Sequence, residues 1–202
     1  MKKNLFVLAL LFCATFLNAQ DTQKVFGSTT LVYYGINFTK AKMIGLGEES
    51  PHKIRDEYFK AWNEISIDMD LAKTFQKNAV AKDPNGVSKL NLALETETLK
   101  TDKDTELSKA DIEEMVKTMP VGQKKVGVGV VLLVQSFNKT AEAATVYVVF
   151  FDIADRSVLL NKKLTGKPSG GSAKGAWTGA LKDIFSQIEK KEFKAWKKEA
   201  NY

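Results

Sequence analysis

The 202-residue chain contains one cysteine, one histidine and four prolines, and each shortage removes a class of chemistry. Cys13 lies inside the first apolar run, so no cysteine remains beyond it to form a disulfide, attack as a thiolate or ligate a metal. His52 alone cannot assemble an imidazole zinc site, and no motif sets a nucleophile beside it. Next to Pro51 it reads as a solvated residue at a helix start, and no cofactor is expected. The net charge of +6 comes from 30 basic residues interleaved with 24 acidic ones. It lacks the clustered basic face that nucleic acid demands, so nucleic acid is not an expected partner. After the first twenty residues there is no apolar run long enough to span a bilayer, and no short-period repeat.

What is present begins with an export signal over residues 1–19. Lys2 and Lys3 give a positive start, Leu5 to Leu17 is almost unbroken apolar sequence, and Leu17-Asn18-Ala19 places a small residue before a cut. Cleavage after Ala19 leaves Gln20 first and one globular domain over residues 20–202, in the periplasm or outside the cell. A lipidated Cys13 is the lesser reading, because Phe12 is too bulky for the position before a lipoprotein cut and the residues after Cys13 stay apolar.

Thr29 to Ile36 is rich in β-branched and aromatic residues and reads as a strand. Ser50 and Pro51 open a helix on which Ile54, Tyr58, Ala61, Trp62 and Ile65 share a face. A short helix over Leu71 to Phe75 and a short strand over Ala79 to Ala81 follow, then a turn at Asp83-Pro84-Asn85-Gly86. Leu90 to Leu99 alternates as a strand, though its Ala, Leu and Glu equally support a helix. Ser108 with Asp111 starts a helix that Pro120 ends.

Val126 to Phe137, Thr145 to Ile153 and Ser157 to Leu164 are joined by links too short for parallel crossovers, so they form an antiparallel meander. Their runs are apolar on both alternating faces and need cover on both sides. The fold class is α/β (α+β): one domain, with a mixed or mostly antiparallel sheet whose C-terminal three-strand meander is covered by helices.

A long helix from Ala173 carries Trp177, Leu181, Ile184, Phe185 and Ile188 as one stripe, whereas Phe193 and Trp196 fall roughly 100° to 160° from Trp177 at 100° per residue. Either this helix bends near Lys190 or the two rings face something else. Lys190, Lys191, Lys194, Lys197 and Lys198 surround them and suit an acidic partner or anionic headgroups. Ahead of the helix, Gly166 to Gly175 is a glycine-rich connection without a nucleotide-binding GK[ST] ending. Gly170, Gly171, Phe193 and Trp196 are therefore the candidate interaction surface, with an envelope protein, a second copy of the chain or a membrane surface as partner. Asp152 and Asp155 are the sharpest carboxylate pair and read as hairpin-turn residues. As general acid and base they carry the alternative, a hydrolase acting on glycan.

Asn18-Ala19-Gln20, the segment Leu31 to Ile44, and Val148 to Leu160 ahead of the glycine loop and Trp177 resemble small exported proteins of Bacteroidota-type bacteria. The strand, turn, strand, glycine loop and helix of the last third is similar in architecture to curli-secretion lipoproteins and the TolB amino-terminal domain. The resemblance implies interaction work in the cell envelope. The expected function is an exported, non-enzymatic binding or assembly module.

Overall fold

The computed structural model describes residues 21–202. The export signal at 1–19, its cut and Cys13 lie outside the described residues. Six strands form one sheet: β1 Thr30–Asn37, β2 Lys42–Ile44, β3 Ala79–Lys82, β4 Val128–Asn138, β5 Ala143–Asp152 and β6 Val158–Gly166. Their order is β3-β1-β4-β5-β6, and β2 continues β1's edge along β4. The sheet is mixed, with β1 parallel to β3 and β4, and with β4, β5 and β6 in the antiparallel meander that their short links dictate.

Both faces of the sheet are covered, as the doubly apolar central strands require. Val130, Leu132, Val146, Val148 and Phe150 point to one side, under α1 (Pro51–Lys53 continuing through a π turn, Ile54–Tyr58, to Phe59–Asp68), α2 (Leu71–Thr74) and the C-terminal helix. Val131, Leu133, Tyr147, Val149 and Phe151 point to the other, where Val87 of α3 (Asn85–Leu92) and Ile112, Met115 and Val116 of α4 (Lys109–Thr118) meet them. The Ser108–Asp111 capping box read from the sequence starts α4. Residues 21–27 are helical, and Val25 and Phe26 enter the core.

Two expectations for the middle of the chain are corrected. Asn85 and Gly86 open α3 rather than closing a turn, with Pro84 as its cap. Leu90 to Leu99 is not a strand: it ends α3 and passes into a single 3₁₀ turn, Thr96–Thr98. Its alternation finds no partner because β1 is already flanked by β3 and β4. The Asn91 amide instead accepts from Phe38 N at 2.8 Å and donates to Ile36 O at 2.8 Å. Asn63 of α1 accepts from Ile36 N at 2.7 Å and donates to Ile36 O at 3.0 Å. These two buried amides satisfy β1's backbone where its register with β4 shifts between Tyr33 and Ile36. Gly35 sits at that irregularity with φ +94°, where a Cβ would stand 2.6 Å from Asn63 Oδ1.

The last helix, α5, runs over Ala173–Gln187, a π turn at Ile188–Glu192, and Phe193–Glu199. A π turn absorbs one extra residue, which rotates everything after it by about 100° relative to a straight helix. Phe193 and Trp196 thereby rejoin the stripe of Trp177, Leu181 and Ile184 and are 2 % and 4 % exposed. The surface expected of these two rings is corrected accordingly: they are core. Phe193 packs against Phe26, Phe75 and Phe150 with ring centroids 5.5, 6.3 and 6.2 Å apart.

Candidate functional site

Three connections converge at the sheet end where β2 stops: residues 45–50, the β4–β5 hairpin at 139–142, and the glycine-rich segment 167–172. Each is held from its own side. Lys139 N donates to Ile44 O at 2.9 Å, fastening the hairpin to the end of β2. Lys100 Nζ donates to Gly47 O and Glu49 O, and Tyr58 OH donates to the Glu49 carboxylate at 2.9 Å, fixing residues 45–50. In the glycine segment Ser169 N donates to Ala176 O at 3.1 Å and Ser172 Oγ caps α5 by accepting from Gly175 N at 3.1 Å. Gly170 makes this fold-back possible: its φ is +140° and a Cβ there would lie 2.7 Å from Gly175 C.

The three connections enclose a cavity of about 350 Å³. Leu46, Pro168, Ala176 and Trp177 supply apolar wall, and Ser169, Gly170, Gly171, Lys139 and Glu142 supply the polar part. The Trp177 indole stacks on Phe137, centroids 5.0 Å apart and planes 4° from parallel, so it is rigidly set. Its Nε1–H is buried and has no hydrogen-bond partner. The other buried side-chain atoms in that condition among the described residues belong to Tyr33, Tyr34 and Gln135. None of those three lines this cavity or either of the two described next.

A second cavity of about 320 Å³ lies between α1 and α3 over Asn63 and Asn91, whose amides are already committed to β1. A third, open groove of about 760 Å³ runs between the start of α3 and residues 120–124, with Lys82, Lys89 and Lys124 on its rim. Neither presents an unpartnered buried polar atom.

Of the four residues singled out from the sequence, Gly170 and Gly171 line the first cavity, whereas Phe193 and Trp196 sit near the opposite end of α5, about 35 Å away at 1.5 Å per residue. The structure does not bring the two pairs together. Asp152 Oδ1 accepts from Ala154 N at 2.9 Å and its Oδ2 accepts from Lys24 Nζ at 3.1 Å, while Asp155 Oδ1 accepts from Ser157 N at 2.8 Å. Both carboxylates thus hold the β5–β6 turn in the manner expected of hairpin aspartates. His52 is exposed in the first turn of α1. Among the described residues no three His, Cys, Asp or Glu side chains are grouped to hold a metal ion. None of their helices is long and apolar enough to cross a membrane.

Leu46, Lys139 and Glu142 escaped the sequence reading, since nothing local marks residues that meet only through the sheet. The polar cluster under residues 101–107 escaped it too. Asp104 accepts from Gln135 Nε2 and Ser136 Oγ, both at 2.9 Å, and from Asn138 Nδ2 at 3.3 Å. Burial works against its charge, but these three donors outweigh it and hold the carboxyl below the usual range. Glu106 accepts from Lys163 Nζ at 2.6 Å and Tyr147 OH at 3.1 Å. The first cavity therefore offers apolar surface beside serine, lysine and glutamate side chains, over a tryptophan whose indole N–H is buried and unpartnered. Searches of protein-family models and of curated proteins return no match to this chain.

Proposed function

We propose that the protein is a non-enzymatic binding module of the cell envelope and that its ligand enters the cavity between residues 45–50, the β4–β5 hairpin and the glycine segment. The observation that carries this reading is that Trp177, a wall residue of this half-polar cavity, holds a buried Nε1–H without a hydrogen-bond partner. A buried donor left unpaired costs about 1 to 3 kcal/mol, which a ligand bearing an acceptor recovers on binding. Small-ligand sites commonly combine apolar wall with a few placed polar groups. The ligand so described has an apolar body and a hydrogen-bond acceptor, such as a carbonyl or carboxylate. The resemblance to exported envelope proteins supports the setting.

Gly171 provides the test, because a Cβ there meets nothing within 4 Å and a side chain can be introduced without disturbing the fold. A photo-cross-linking aromatic amino acid at position 171 should give a discrete adduct in intact envelopes. The same group at Leu92, on the second cavity, serves as the control. An adduct at 171 and none at 92 supports the reading. Equal, diffuse labelling at both positions contradicts it.

A further inference from the structure

We propose that the outer face of the last turns of α5 docks on an anionic lipid surface. With Phe193 and Trp196 turned inward, Lys190, Lys191, Lys194 and Lys198 are exposed and Lys197 is half-buried along the outer side of these turns. The carboxylates of this segment are already matched: Glu189 with Lys73 at 2.8 Å, Glu192 with Lys191 at 3.1 Å, and Glu199 with Lys162. Lys190, Lys194 and Lys198 are left without an ion-pair partner among the described residues. Basic residues in a final turn complement the helix dipole, but that effect fades within one turn and does not account for Lys190 or Lys191.

One neighbour of this face favours lipid over an acidic protein. Tyr202, 52 % exposed, lies under Lys197 Nζ at 4.9 Å from its ring, and an exposed tyrosine beside lysines suits the headgroup level of a bilayer. No large apolar side chain other than Tyr202 is exposed beside these lysines, so the contact is electrostatic and falls off with salt.

The test is co-sedimentation of the mature chain, residues 20–202, with phosphatidylglycerol-containing vesicles and with phosphatidylcholine vesicles, at low and high salt. It compares the protein with the triple variant Lys190→Gln/Lys194→Gln/Lys198→Gln and its Lys→Arg counterpart. The three side chains are exposed, so both variants should melt where the parent does. All three proteins begin at Gln20, so the apolar leader contributes to none of them. The expected result is salt-sensitive binding to the anionic vesicles only, kept by the arginine variant. The glutamine variant should lose roughly fivefold per lysine, on the order of a hundredfold in all. Equal binding by the glutamine variant, or no preference for anionic vesicles at low salt, overturns the proposal. Lysine-dependent retention on immobilised polyglutamate without any vesicle binding overturns it in favour of an acidic protein partner.

Discussion

The carboxylate of Asp104 accepts hydrogen bonds from three side chains of β4, and through it residues 101–107, which contain no helix or strand, are fixed across the sheet. Glu106 repeats the arrangement on Lys163 and Tyr147, its carboxyl held low first by the lysine and then by the tyrosine hydroxyl. A carboxyl whose folded value is depressed contributes stability that is complete above its unfolded value, about pH 4, and lost as the pH falls through the folded one. The melting temperature should therefore fall steeply below about pH 4, and Asp104→Asn should flatten that acid limb as well as lower stability at neutral pH. Thermal melts of both proteins from neutral to acid pH check this. An acid limb unchanged in the variant would mean that Asp104 is not coupled to folding. No property of Asp104 in the sequence marks it, because its three donors lie more than thirty positions away.

At the scale of elements, most of the fold was legible. β1, α1, α4 and the meander follow from β-branched runs, caps and short links, and each stands close to where the pattern places it. The failures have one shared cause in the two long helices, which are read with a straight ruler of 100° per residue. In α1 the π turn at Ile54–Tyr58 shifts the buried set from Ala61 and Ile65 to Phe59, Asn63 and Ser66. In α5 the turn at Ile188–Glu192 returns Phe193 and Trp196 to the core. A π turn is one residue too many for an α-helix, so removing one residue there restores regular geometry with the same downstream facing. Deletion of Lys190 should leave stability within about 1 kcal/mol, whereas deletion of the equally exposed Lys182 rotates the rest of the stripe and should cost several times as much. Chemical denaturation of the two deletions decides it. Comparable losses would show that the turn is not such an insertion. The exposed edge of β6 was also hidden from the sequence: Lys162 and Lys163 reach opposite faces, to Glu199 and Glu106, and place charge on an edge that otherwise invites pairing with another strand.

For the whole molecule, the sequence marked one component of the candidate site and missed the rest. The glycines at 170 and 171 stand out as a pair ahead of a helix start; the fold-back needs the first of them, and both line the cavity. Leu46, Lys139 and Glu142 meet them only because β2 and the β4–β5 hairpin stop at the same end of the sheet, a fact of sheet order rather than of local pattern. The account stands most directly on the indole of Trp177. In a ¹H–¹⁵N spectrum its Nε1–H resonance, assigned by its absence in Trp177→Phe, should shift when an envelope extract containing the ligand is added. Gly171→Arg, which fills the cavity mouth from open space, should abolish the shift without changing the melting temperature. An extract that binds the Gly171→Arg protein as well as the parent, leaving the Trp177 resonance unmoved, would contradict the assignment of this cavity as the binding site.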